Sequence, residues 1–540
     1  MTPRALYLGL AGLVVLVWLG LLGARPLFNP DEGRYAEIPR EMLVRGDWVI
    51  PHLNGLDYIE KPPLQYWATA LSYAVFGVSH FAARLYTALS ALGTVLAMGL
   101  LARRLWSWDA GWRAAAVLSG MLLFLVLGQL LTLDMSLTFW MSLSLAGFVL
   151  GQTEAVRGAR WMLLAWGAAA LAVLSKGLVA AAIPAAVLVL YSLAARDFSP
   201  WRRLQLRFGL PLFLAITVPW HWLAAARLND FLQFFFVHEH FARYLTPVSD
   251  RQEPWWYFGV VFLAGTVPWT LSAVRVVATG WRTAAAANNF NVKLFLWIWV
   301  IFIGVFFSLS DSKLIPYILP LMPALALLIA AQPEPVLRRD FRWTAMLTLL
   351  AGLGLGVASL NWPALLGASA RSAVFLPLAA PAREVALLLV LTAAFVLMRA
   401  KGDSTRVGVF LGVGWCLSGL LLVRAAGAVA PIYSGVDLAA AFPSDGGNAP
   451  LYSVATYDQS LMFYLRRTAT LVRYRGELDY GLNRAPEREI KELDEFIGIW
   501  SAQSQAFAVM ENGMYDELTR RGVAMRVVGR NFGKVLVART

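Results

Sequence analysis

Long apolar blocks dominate the chain, separated by short polar stretches. Each block of about 17–25 residues can cross a bilayer as a helix. The blocks fall at roughly 5–24, 81–101, 114–128, 136–152, 161–175, 177–194, 208–226, 256–274, 294–309, 315–331, 343–361, 383–398 and 407–428. This pattern predicts an all-α polytopic membrane domain over residues 1–431 with about 13 transmembrane helices. Ala24-Arg25-Pro26 after the first block is a poor cleavage signal, so that block reads as an uncleaved first helix. Ser175-Lys176-Gly177 leaves only a very short turn between two spans.

Two regions depart from this pattern. Residues 25–80 form a polar, charged, turn-rich loop between the first two apolar blocks. Beyond residue 432, strand-like runs at 451–455, 470–474, 506–510, 525–528 and 534–538 alternate with amphipathic helical patterns at 459–467, 487–502 and 515–521. They predict a small α/β domain over 432–540. There is no internal repeat and no low-complexity tract.

Composition agrees with the pattern. Hydrophobic residues make up 59% of the 540 and charged residues 15%, against about 25% charged in soluble domains. The net charge of +13 does not point to nucleic acid, because the Lys and Arg are dispersed in short loops. Every second loop is basic, from Arg103, Arg104 and Arg113 to Arg399, Lys401 and Arg406, which orients the chain with its N-terminus inside. An odd number of spans then places the C-terminal domain, with the 25–80 loop, in the periplasm of a bacterial inner membrane. Cys416 is the only cysteine and lies in an apolar block, so a disulfide or thiolate metal cluster within the chain is excluded.

The ionisable residues on the periplasmic side are the candidates for chemistry. Asp31 and Glu32 follow Pro30; acids there also suit the first turn of a helix. Arg34 follows, and Glu60-Lys61 precedes Pro62-Pro63, a stiff extended pair that fixes the direction of Lys61. Asp134 stands alone between two apolar spans, where a lone charge needs a partner or a function. Lys61, Lys176, Arg243 and Lys313 can bind an anion such as a phosphate; Lys313 also suits the bilayer interface. His238-Glu239-His240, with Glu60, offers ligands for a divalent cation, zinc or similar, although the spacing matches no zinc signature. His80 and His221 read as packed or interfacial histidines, and Tyr317 as a member of an aromatic belt unless it lies beside the basic residues.

The run from Asn29 to Met42, then Gly46-Asp47-Trp48, Leu53-Asn54-Gly55 and Glu60-Lys61-Pro62-Pro63-Leu64, resembles the first periplasmic loop of the bacterial protein-mannosyltransferase-like family of the C-type glycosyltransferase superfamily. Asp134, Ser175-Lys176-Gly177, the stretch from His238 to Tyr244, and Ser312-Lys313-Leu314-Ile315-Pro316-Tyr317 extend the resemblance along the chain, most closely to the aminoarabinose transferases that modify lipid A. It implies a C-type glycosyltransferase fold and no nucleotide donor. The implied reaction moves 4-amino-4-deoxy-L-arabinose from undecaprenyl phosphate to a lipid A phosphate at the periplasmic face. Asp31 and Asp134 would be the key carboxylates. Lys61, Arg243 and Tyr317 would hold the donor phosphate with Lys176 nearby, and Glu60 and His238 would match a metal site. Lipid A or another envelope molecule is the implied acceptor, membrane lipids the surroundings and a monomer the expected state. A protein O-glycosyltransferase would use the same donor class and differ in acceptor. A transporter is disfavoured, because the polar residues gather at one face and a soluble domain is appended.

Overall fold

The structure is a computed structural model that describes all residues except 1–2, 243–251, 283–289, 368, 400–402, 448 and 540. Every apolar block is helical. The first is α1 (Pro3–Gly20), followed after the loop by α4 (His80–Leu105), α7 (Leu133–Thr153), α8 (Gly158–Lys176) and α9 (Val179–Ala195). Among the described residues, seven helices are long and apolar enough to span, with shorter apolar helices such as Arg4–Gly20, Val179–Ala195 and Val292–Ser308 packed between them.

Two predicted spans are not single straight helices. The block at 114–128 is a pair, α5 (Trp108–Gly120) and α6 (Leu122–Gln129), bent by 66°. The block at 256–274 is split into helices Tyr257–Gly265 and Thr270–Thr279. Pro268 falls in the break, where its missing N–H and fixed ring cannot continue a helix.

The first loop folds as helix, hairpin, helix. α2 (Asp31–Arg45) ends at Gly46, whose φ of 69° suits glycine. A two-stranded hairpin follows, β1 (His52–Leu53) with β2 (Leu56–Asp57), turning on Asn54 and Gly55, both at positive φ. Then comes α3 (Leu64–Phe76).

The C-terminal domain holds a six-stranded mixed sheet in the order β5-β4-β3-β6-β8-β7. β3 (Leu451–Val454) pairs in parallel with β4 (Thr470–Val472) and β6 (Phe507–Glu511). β7 (Met525–Arg530) and β8 (Lys534–Arg539) form the antiparallel edge. The helical pattern at 487–502 starts later than predicted. Glu489–Ile490 pairs as strand β5 beside β4, and the helix runs from Leu493 to Ala502.

The first loop and the C-terminal domain are packed as one body. Tyr35, Ile38, Met42, Leu53, Leu56, Tyr58 and Tyr66 of the loop share a continuous apolar core with Leu461, Met462, Leu471, Leu482 and Leu536. Gly33 marks the closest approach: a Cβ there would lie 2.4 Å from the backbone nitrogen of Ser460. Asn29 completes the seam. Its amide donates to Asp458 (2.8 Å) and its oxygen accepts from the Ser460 N–H (2.9 Å).

Candidate active site

α7 and α8 are an antiparallel hairpin, which brings the start of one beside the end of the other. Small residues allow the close contact; a Cβ on Gly147 would lie 2.7 Å from the Trp161 carbonyl oxygen. Asp134 therefore occupies the first turn of α7 and Lys176 the last residue of α8, each at the helix end whose dipole favours its charge. The two side chains form an ion pair. Tyr317, in the 3-10 segment Ile315–Leu321, adds its ring, with the Lys176 ammonium 4.7 Å from the centroid. Three residues from three distant stretches thus make one cluster.

Asp31 starts α2 with its side chain half exposed. Its Oδ1 lies 3.5 Å from Arg34 Nη1, and Arg34 Nη2 lies 3.3 Å from Glu477 Oε1 in the C-terminal domain. Glu477 is itself fixed by the Gln459 amide at 2.5 Å. Tyr35, next to Arg34 in α2, is buried. Burial lifts its phenol well above its ordinary value, and the carboxylates of Asp31, Glu60 and Asp134 all act in the same direction. The Tyr66 hydroxyl and Arg34 Nε are buried here without a hydrogen-bond partner among the described residues.

Lys61 directs its ammonium at the Glu60 carbonyl (2.9 Å) and at Glu239 (2.7 Å), a buried carboxylate on the π-helical segment Gln233–Ala242. Among the described residues two of its three protons are engaged. His238 stacks on Phe234 at 5.2 Å and lies 3.5 Å from Glu239. Among the described residues no group of three or more His, Cys, Asp or Glu gathers as a metal centre. Glu60 and His238 give too few donors for a closed four-ligand zinc site.

Glu32 differs from its neighbour Asp31. It is buried, takes Arg25 at 2.5 Å and Arg84 at 2.8 Å, and accepts from the Leu131 N–H at 3.1 Å. Burial opposes its ionisation, but the guanidiniums of Arg84 and Arg25 outweigh that and hold the carboxyl below the ordinary carboxylate range. Glu32 anchors α2 to α4 and to the strand-like lead into Asp134. Lys313 is buried and donates to the Ser310 carbonyl at 2.6 Å, so it is not an interface anchor. His80 bonds the Tyr464 hydroxyl at 3.0 Å and His221 the Thr217 carbonyl at 2.8 Å. Arg243 lies outside the described residues.

Residues 7–235 match the family described as dolichyl-phosphate-mannose-protein mannosyltransferase, and residues 441–539 match the aminoarabinose transferase C-terminal domain. The whole chain superposes on ArnT from Cupriavidus metallidurans bound to undecaprenyl phosphate. The TM-score is 0.90 at 32% identity, covering 100% of this chain and 99% of that one. The chain belongs to the ArnT-like branch of the protein-mannosyltransferase family. Curated relatives carry the name undecaprenyl phosphate-alpha-4-amino-4-deoxy-L-arabinose arabinosyl transferase. That of Aeromonas hydrophila is 34% identical over 343 residues, 62% of this chain and 61% of the relative. A Pseudomonas fluorescens relative is 34% identical over 356 residues, 64% and 63% of the two chains. The match thus spans about three fifths of the length of these curated relatives.

Several members of this ArnT-like site were not singled out from sequence. Arg84 carried a signal, a lone arginine inside an otherwise apolar span, of the kind that needs a partner. Arg25 and Glu477 carried none, and Glu239, named from sequence only within the His238-Glu239-His240 run, pairs instead with Lys61. Each is an ordinary charged residue whose role depends on a partner at least seven positions away.

Proposed function

We propose that this ArnT-like protein transfers 4-amino-4-deoxy-L-arabinose from undecaprenyl phosphate to a phosphate of lipid A, at the periplasmic face of the bacterial inner membrane. The observation that carries the reading is the end-to-end likeness to ArnT of Cupriavidus metallidurans bound to undecaprenyl phosphate. The cluster of Asp134, Lys176 and Tyr317, with Asp31 at the start of α2 and Lys61 in the same first loop, supports it.

In this reading the bond between the sugar's anomeric carbon and the donor phosphate oxygen breaks. Its electrons stay on the lipid phosphate, and an oxygen of the acceptor phosphate bonds to the same carbon. The donor phosphate gains charge as it leaves, so pre-oriented cations lower the barrier. Lys61 and Lys176 can serve, with Arg243 as the family resemblance implies. The acceptor phosphate is already anionic, so Asp31 has to orient it or the sugar amine rather than remove a proton. Glu60 and His238 would hold a divalent cation whose remaining shell is water or phosphate oxygen, and whose charge would neutralise phosphate.

Mass spectrometry of lipid A tests this, in cells with the intact chain, without it, and with Asp31→Asn. A phosphate-linked pentosamine present only with the intact chain is expected. Unchanged lipid A with an intact chain removes this acceptor and moves the search to periplasmic glycoproteins and other envelope glycans.

A further inference from the structure

The helix Glu334–Leu360 begins at the end of the membrane domain away from the active site. The segment Ile315–Ala330 carries Tyr317, beside Lys176, in its first turn and crosses before the chain turns back at 331–333. At this far end lie two adjoining cavities of about 550 and 400 Å³. Arg338 and Arg342 line the first, and Arg275 and Leu271 of the helix Thr270–Thr279 line the second. Arg339 and Trp343 line both.

The cations exceed their acids here. Arg275 Nε bonds the buried Asp340 at 2.8 Å, with Arg339 Nε 3.6 Å from the other oxygen, and Arg338 Nε bonds Glu334 at 3.0 Å. Arg275 and Arg338 meet these acids through Nε, which leaves their terminal nitrogens available. Arg342 has no ion-pair partner among the described residues. Asp340 fixes two of the guanidiniums without neutralising the group. Below the arginines the same helix turns Leu347, Leu350, Leu353 and Val357 outward, each more than half exposed, a stripe suited to acyl chains. Trp343, 54% exposed, stands at the boundary where indoles favour the headgroup region.

We infer that this paired basic groove binds a phospholipid carrying two phosphates, one in each cavity, with its chains along the leucine stripe. Charge complementarity selects an anionic lipid over a zwitterionic one, and two adjoining cavities, each lined by arginines, select two phosphates over one. The inference is independent of the sugar and the acceptor.

Native mass spectrometry of the full-length protein in detergent tests it, with cardiolipin, phosphatidylglycerol or phosphatidylethanolamine added at equal phosphate. Cardiolipin should be retained at energies that strip the other two. Arg338→Ala and Arg342→Ala should each weaken its retention about fivefold, and Arg202→Ala, an exposed arginine in a different basic loop, should not. Equal retention of phosphatidylglycerol, or an Arg342→Ala variant that holds cardiolipin as well as the parent, overturns the proposal.

Discussion

Arg34 lies between Asp31 at 3.5 Å and Glu477 at 3.3 Å, so a side chain of the C-terminal domain sets the position of a candidate catalytic acid in the first loop. Arg34 is almost wholly buried, and an arginine held at both ends has little rotamer freedom left.

Glu477→Gln keeps the shape and removes the charge. It should lower the rate of sugar transfer about 10–30-fold, the effect of about 1.5–2 kcal/mol, through kcat more than KM. The melting temperature should change little. Full activity in Glu477→Gln would confine the C-terminal domain to a packing role.

The adjacent acids should fail in different ways. Asp31→Asn removes a half-exposed charge, which at such a position costs within about 0.5 kcal/mol of stability, and should abolish transfer in a folded protein. Glu32→Gln leaves Arg25 and Arg84 buried without their counter-charge, a loss of about 3–5 kcal/mol. Thermal melts in detergent should therefore drop for Glu32→Gln and stay level for Asp31→Asn.

Asp134 and Lys176 should act as a unit. Asp134→Asn and Lys176→Met each leave a charge without its partner, and both should reduce transfer strongly. The double variant should lose less than the two single losses combined, with a coupling of about 0.5–3 kcal/mol in a double-mutant cycle. Additive losses would show that the pair works through separate contacts.

Stability should also depend on pH through Glu37. This carboxyl is fully buried and takes Arg40 at 2.7 and 2.5 Å, yet burial pushes it up to about 7 from an ordinary 4.5. Below that ordinary value both the folded and the unfolded chain hold the proton. Between about 4.5 and 7 the unfolded chain releases it first, so folding loses stability as pH rises, and above this window the penalty is constant. The parent should melt lower at about pH 8 than at about pH 5, and Glu37→Gln should flatten that difference. An unchanged slope would assign it to other groups.

The sequence by itself determined the membrane domain, because a span is a local property: a long apolar run has no other stable home, and Lys and Arg mark alternate loops. It determined five of the six strands of the C-terminal domain for a similar reason, since a two-residue period is written in neighbouring positions; β5 is too short to show one. It also marked Asp31, Lys61, Asp134 and Tyr317, by isolation in apolar surroundings and by the motif around them. Only the tertiary structure separated Asp31 from Glu32, because two adjacent carboxylates differ in whether Arg25 and Arg84 reach them. It joined the first loop and the C-terminal domain through Arg34 and Glu477, and it placed Lys176 on Asp134 by making α7 and α8 antiparallel. These are contacts between residues from seven to hundreds of positions apart, formed when apolar faces pack, and no local pattern encodes them.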